Sequence, residues 1–296
     1  MEMRVIWWLG LFVVGMAAAH GAAVGEGALR PPTFTLWQLP NQTPTQMMSY
    51  VIRTVNGKVL VVDGGNAGDG AYLQRFIRER GNKVEAWFIS HMHGDHVAAL
   101  CQILANPEGM EIKDIYVELP DLEWLGRYAP ESEVLELTKI LANAECSRKP
   151  YTLGADFSID GVRIQVLGVG NPEITQNAIN NSSVVLRMSD NVKSVLFPAD
   201  LGVEGGDKLL TTEYADALPS DYVQMAHHGQ NGVSEEFYRK VNPSYCLWPT
   251  PKWLWDNDRG QGQGSGPWQT LTVRAWMDKL DIKRHYVMFE GLHQID

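Results

Sequence analysis

The segment "VEAWFISHMHGDHVAAL", residues 84–100, constrains this chain more than any other stretch. It opens with "VEAWFIS", residues 84–90, a mostly apolar stretch rich in β-formers, which reads as a buried strand. That strand delivers the chain directly into His91, His93, Asp95 and His96. Three of the eight histidines and one aspartate thus fall within six positions. Imidazole nitrogens and carboxylate oxygens are the natural ligands of Zn²⁺ and similar divalent ions. His91 and His93 stand two apart on an extended end and point the same way. Asp95 and His96 follow Gly94, which allows a sharp bend toward a second nearby point. One short loop can therefore offer two ligands to each of two adjacent ions. A solvated polar loop is the bland alternative, and the density of ligand-type residues after an apolar strand weighs against it.

Strands and helices alternate on both sides of this loop. Residues 47–65 read as a hairpin, because Asn56-Gly57 is a type I′ turn signal between β-rich segments. Helical spacing covers 71–80, 97–105 and 131–145, with "EIKDIYVEL" strand-like between the last two. The second half repeats the logic. "FSIDGVRIQVLGV", "SSVVLRMSD", "VKSVLFPAD", "DYVQMA", "SYCLW" and "RHYVMF" read as strands, and 203–210, 234–241 and 268–280 as helices. The fold class is α/β or α+β. No low-complexity linker divides the chain, and the glycine-rich 259–267 reads as its most mobile loop. His293, near the C-terminus, reads as a surface residue.

The His-x-His-x-Asp-His run after a buried strand resembles the metallo-β-lactamase superfamily. "VDGG" at 62–65, "LFPADLG" at 196–202 and "MAHHGQNG" at 225–232 match further motifs of that family. The resemblance covers nearly the whole chain after its leader. It implies a four-layer αββα sandwich of two similar halves, with a metal site at one edge between the sheets. It also implies that Asp63 supports the histidine loop and that Asp200 bridges two ions. His91, His93 and Asp200 would hold the first ion; Asp95, His96, Asp200 and a late histidine would hold the second. His228 is assigned as that ligand, because the family's late histidine commonly precedes a glycine and Gly229 follows here. His227, adjacent on a strand end, cannot point inward in the same way. It is expected beside the substrate, as a proton or hydrogen-bond donor to the leaving oxygen or phosphate.

The sequence departs from the family's best-known members at one point. No histidine occurs between residues 97 and 226, so the usual third histidine of the first ion is absent. Asn180 and Asn181, in "NAINNSSVVLRM", stand near where it is expected. The run "NNSS…VVLR…LFPAD…HHG" is similar to the hydrolase domain of bacterial DNA-uptake channels and to teichoic-acid phosphorylcholine esterase, both associated with phosphodiester cleavage. Two ions about 3.5–4 Å apart can hold a hydroxide and stabilise developing charge, and Asn180 and Asn181 could donate to the substrate's oxygens. A turn before a strand accounts for the asparagines equally well. Trp253 and Trp255, in "WPTPKWLWDND", read either as packing residues or as an aromatic wall gripping the substrate.

Charge and termini narrow the partners. The formal net charge is −10, which gives no general attraction to nucleic acid or anionic membranes. A phosphate-bearing substrate, small or polymeric, would have to be held locally. Arg4, the apolar run Val5–Ala19 and the small residues after it read as a signal peptide over 1–21, leaving 22–296 as one hydrolase domain. The run is short for a membrane span, so export to a secreted, periplasmic or cell-surface location is expected without stable membrane insertion. Cys101, Cys146 and Cys246 are too few for a disulfide scaffold. The expected function is an exported, Zn²⁺-dependent hydrolase of phosphodiesters, with Mn²⁺ as an alternative ion. The rivals are a lactone or β-lactam hydrolase and a non-catalytic, metal-stabilised surface binding protein.

Overall fold

The strands sort their side chains by period two. Along Ser49–Thr54 and Val59–Asp63, Val51, Val59 and Val61 pack toward helices, while Tyr50, Ile52, Leu60 and Val62 pack toward a second sheet. The computed structural model describes residues 31–296, which form one compact unit. The expected signal peptide lies outside the described residues. The first sheet runs in the order 293–295, 34–38, 49–54, 59–63, 83–88, 115–116, 148–149, with 111–112 also on 83–88. The second runs 284–287, 245–248, 222–224, 194–197, 185–189, 162–168, 156–159.

Three apolar layers hold the sheets and helices together. Gly70–Arg78, Gly94–Ala105 and Ser132–Asn143 cover the outer face of the first sheet through Leu73, Ile77, Leu100, Ile103 and Leu137. Phe88, Ile164, Leu186, Met188, Phe197 and Leu247 fill the space between the sheets. Leu209, Phe237, Val241, Val273 and Met277, from three further helices, cover the outer face of the second sheet. This is the four-layer αββα sandwich. Each fully buried side chain of this size stabilises by about 1.5–3 kcal/mol, so the strand ends that carry polar residues are anchored on rigid supports.

The pairing pattern creates two matching switch points. In the first sheet, Val59–Asp63 pairs antiparallel on one side and parallel with Lys83–Phe88 on the other. In the second, Ser194–Phe197 does the same, parallel to Tyr222–Gln224. Crevices at the carboxyl ends of strands around such a switch are where open α/β sheets bind ligands. Both switch strands leave through a non-glycine residue in the left-handed region, Asp63 at φ 54° and Ala199 at φ 52°.

Several expectations need correction. The helix after the histidine loop starts at Gly94 rather than Val97, so Asp95 and His96 lie in its first turn. Leu122–Tyr128 is a helix the sequence reading missed, capped by Asp121, whose carboxylate accepts from the Glu123 and Trp124 N–H groups. Phe34–Gln38 and His293–Ile295 are strands, paired with each other. His293 is no surface residue: its ring is largely buried, with Nε2 2.8 Å from the Val287 carbonyl. The 259–267 loop is organised around Asp258, whose Oδ1 accepts from the N–H groups of Gly260, Gln261 and Gly262. Cys101, Cys146 and Cys246 are free thiols. No helix of the described residues is long and apolar enough to cross a membrane.

Candidate metal centre

Four strand ends meet at one edge of the sandwich. Asp63 ends one strand of the first sheet, and the 83–88 strand leads into His91 and His93. From the second sheet, Asp200 follows the 194–197 strand, and His227 and His228 follow 222–224. The two sheets are tied at this edge, where Val184 N–H donates to the Ser90 carbonyl at 3.0 Å.

Two ligand groups share one carboxylate. Asp95, His96, Asp200 and His228 form one; His91, His93 and Asp200 form the other; within each group the candidate ligand atoms all lie within 4.8 Å of one another. Nε2 of His96 and Nε2 of His228 each approach Asp200 Oδ2 to 3.3 Å, and His228 Nε2 is 3.1 Å from Asp95 Oδ2. His91 Nε2 lies 3.0 Å from His93 Nδ1.

Supporting hydrogen bonds aim these ligands. Asp63 is fully buried and accepts from Ser90 N, Ser90 Oγ and His96 Nδ1, the last at 2.7 Å. That carboxylate fixes the His96 tautomer and leaves Nε2 facing the centre. The Pro249 carbonyl does the same for His228 Nδ1 at 2.9 Å, while the Thr250 hydroxyl donates to the His228 carbonyl at 2.6 Å. Asp95 accepts from Gln46 Nε2 at 3.0 Å, and Gln230 Nε2 in turn donates to Gln46 Oε1. Ser183 Oγ accepts from the Asp200 N–H and sits 3.4 Å from His91 Nδ1.

The residues fit divalent ions. His96 Nε2, His228 Nε2 and Asp200 Oδ1 are buried, and none has an aligned hydrogen-bond partner. Three orphaned polar atoms at one point are costly unless a cation satisfies them. The donor set, imidazole plus carboxylate without thiolate, suits zinc, iron or manganese. The group of His91, His93 and Asp200 supplies only three ligands, the pattern of an open rather than a closed structural site.

Electrostatics point the same way. Burial opposes charge on His96, but the carboxylates of Asp200, Asp63 and Asp95 raise its pKa well above the usual value. His228 is likewise pushed up to about 9, against burial, by Asp200 and Asp95. Burial works against the charged forms of Asp95 and Asp200 too, yet the neighbouring histidines hold both carboxyls well below their usual range. His91 is held low by burial and by His96 and His93. Burial also lowers His227, with Asp200 opposing. The buried negative charge calls for positive charge at its centre.

A left-handed turn brings both late histidines inward. His227 and His228 have φ values of 50° and 55°, and Gly229 follows at 78°. Strand alternation, the basis for expecting different orientations, therefore does not operate here. His227 Nε2 reaches within 4.0 Å of Asp200 Oδ2 and 3.3 Å of Asn180 Nδ2. It belongs to neither ligand group and lines the open cleft above them, with Thr45, Gln46, Glu133 and others.

Three expected substrate contacts are not where the sequence reading put them. Asn181 is fully buried: its Nδ2 donates to the Gln176 carbonyl and to Glu204, and its Oδ1 accepts from Gly205 N–H. Its donors are consumed by structure, whereas Asn180 keeps a buried Oδ1 without a partner. Trp255 stacks edge-on against Trp248 and under the Arg274 guanidinium, as a packing residue. Trp253 packs on Trp268 and donates to the Pro44 carbonyl at 2.9 Å; neither tryptophan lines the cleft. The "WPTP" stretch serves the site differently, by orienting His228. Gln46, Ser183, Gln230 and Glu133 were missed. Ser183 lies inside the "NNSS" run and Gln230 inside "MAHHGQNG"; Gln46 and Glu133 carry no local signal.

A family model described as the metallo-β-lactamase superfamily matches residues 43–241, a span holding every ligand named above. No curated protein matches the sequence. Among solved structures, the metallo-β-lactamase fold protein YhfI from Bacillus subtilis is 12% identical with a TM-score of 0.54, covering 89% of this chain and 99% of its own. Unliganded yeast PDE1 is 10% identical with a TM-score of 0.55 and the same coverage, 89% and 99%. CmlA, a diiron β-hydroxylase from Streptomyces venezuelae, is 13% identical with a TM-score of 0.51, covering 90% of this chain and 54% of its own. At such identities the likeness speaks for the fold alone. Together, the family match, the αββα sandwich and the shared-carboxylate centre make this chain a member of the metallo-β-lactamase superfamily.

Proposed function

We propose that this protein is an exported metal-dependent hydrolase that cleaves phosphodiester bonds, with Zn²⁺ or Mn²⁺ as its ions. The observation that carries the reading is the open first group: His91, His93 and Asp200 offer three ligands, and His227 with Asn180 stands beside them instead of a fourth. A substrate oxygen can complete that group. Bound ions would supply Lewis acidity and an activated water at neutral pH. The chain's own residues do the rest. Asp63 and the Pro249 carbonyl fix the imidazoles of His96 and His228. His227, on the cleft wall, is suited to donate a hydrogen bond or proton to the leaving oxygen. Asn180 is paired with the His227 ring and holds it in place. We assign the protein to the same branch as the DNA-uptake hydrolase domain and the phosphorylcholine esterase. The apolar run Val5–Ala19 supports export without stable membrane insertion.

A panel assay tests the reading. The purified protein, loaded with Zn²⁺ or Mn²⁺, is offered bis-p-nitrophenyl phosphate, p-nitrophenyl phosphorylcholine, single-stranded DNA and nitrocefin. Turnover of the phosphodiesters without nitrocefin hydrolysis is the expected result. Rapid nitrocefin turnover with no phosphodiester cleavage would favour the β-lactam alternative.

A further inference from the structure

A second depression touches the same ligand set through His91 and shares no lining residue with the cleft. It is a slot of about 190 Å³, lined by Leu119, Pro120 and Trp124, by Ile179 and Ser182, and by His91 and Met92. Of the six residues in the two ligand groups, only His91 lines it. The Ile179–Ser182 wall is the one-turn helix that carries Asn180, so the slot opens beside the group that is one ligand short. Trp124 is fixed in place by its Nε1–H, which donates to the Pro172 carbonyl at 2.8 Å.

Size and charge say what could enter. An apolar cavity of about 150 Å³ accommodates a benzene ring, whereas pockets for whole drug-sized ligands run to about 300–1,000 Å³. The slot therefore fits one arm of an ester rather than a whole polymer segment. Its charged groups are carboxylates only. Glu118 accepts from Gly170 N–H at 3.0 Å, and Asp121 caps the 122–128 helix. Neither makes an ion pair with any described residue, and no lysine or arginine lines the slot or the cleft above the ligands. An anionic arm would meet repulsion from both carboxylates there, with no lysine or arginine of the slot to offset it.

We infer that this slot is the subsite for one arm of the substrate, and that it takes a compact apolar arm carrying no negative charge, neutral or cationic. The inference rests on the phosphodiester reading above. It restricts that reading to esters whose only negative charge is the scissile phosphate, which sets small diesters above single-stranded nucleic acid.

The test uses 4-nitrophenyl phosphodiesters that differ only in the second arm: methyl, benzyl, 4-(aminomethyl)benzyl and 4-carboxybenzyl. The benzyl and aminomethylbenzyl esters should have KM values about tenfold below the methyl ester, and the carboxybenzyl ester should lose that gain. Trp124→Ala should erase the benzyl advantage, bringing KM for the benzyl ester up to that of the methyl ester measured with the same variant. Glu118→Gln, which keeps an acceptor for Gly170, should restore part of the carboxybenzyl affinity. Binding of 4-fluorobenzyl alcohol, read by ¹⁹F line broadening in native protein and lost in Trp124→Ala, reports the slot without any turnover. If no diester is cleaved but that broadening behaves as stated, the slot stands and the assigned reaction falls. If methyl and benzyl esters are cleaved alike and Trp124→Ala alters neither turnover nor the ¹⁹F signal, the slot inference is overturned.

Discussion

Gly229 is the position where a single methyl group should do most damage to the centre. It follows His228 directly, at φ 78°. A Cβ built there would lie 2.4 Å from Cζ3 and 2.5 Å from Cε3 of Trp248. That ring cannot step aside easily. It is fully buried, its Nε1–H is held by His285 Nδ1 at 2.9 Å, and Trp255 packs against it edge-on. A left-handed backbone costs an L-residue roughly 1–2 kcal/mol, and overpacking a close-packed core costs about 1–3 kcal/mol. Gly229→Ala should therefore destabilise the protein by about 2–5 kcal/mol, a large part of a usual domain's stability of about 5–15 kcal/mol. Urea unfolding measures it, with Gly260→Ala as the control. Gly260 has φ 93° with nothing within 4 Å of the added carbon, so only the backbone cost applies. Because the clash pushes on the residue after His228, metal content should fall in Gly229→Ala and not in Gly260→Ala. Equal stabilities for the two variants would refute the argument that Trp248 supports the histidine turn.

Three further outcomes follow from the geometry. Asp63→Asn should weaken metal binding about 10–100-fold, because the amide cannot fix the His96 tautomer as the carboxylate does; calorimetric titration of the stripped protein measures it, and native affinity would remove Asp63 from its supporting role. His228→Ala should lose metal and activity together, whereas His227→Ala should keep its metal and lose rate by about 10²–10⁴-fold; metal analysis beside steady-state kinetics separates them, and the reverse pattern would exchange their roles. Trp255→Ala should lower the melting temperature and leave KM for bis-p-nitrophenyl phosphate unchanged, as a packing residue would; a raised KM at unchanged stability would return Trp255 to the substrate.

The parts of this fold that repeat locally are legible in the sequence. Asn56-Gly57 marks the hairpin, and the apolar run before His91 marks the strand that carries the centre. Ligands concentrated in one loop, or flanked by a glycine as His228 is, can be picked out before any coordinates exist. What escapes is whatever depends on a distant partner. The short edge strand His293–Ile295 owes its existence to Phe34–Gln38, some 260 residues away in sequence. Asn181 looks as available as Asn180, yet Glu204 and Gly205 consume its hydrogen bonds. Gln230 donates to Gln46, which in turn donates to the Asp95 carboxylate, a relay between residues far apart in sequence in which Gln46 carries no signal of its own. Trp255 was ambiguous because aromatic clusters serve cores and ligands alike, and only its neighbours Trp248 and Arg274 decide.

The central claim is that both halves of the chain hold one centre through Asp200, the residue common to the two ligand groups. Metal content per chain, measured after dialysis for the native protein and for His91→Ala, His228→Ala and Asp200→Ala, each checked as folded by circular dichroism, tests it most directly. The account predicts that His91→Ala and His228→Ala each lose part of the bound metal and that Asp200→Ala loses ions from both groups. Asp200→Ala with the metal content of the native protein would contradict it.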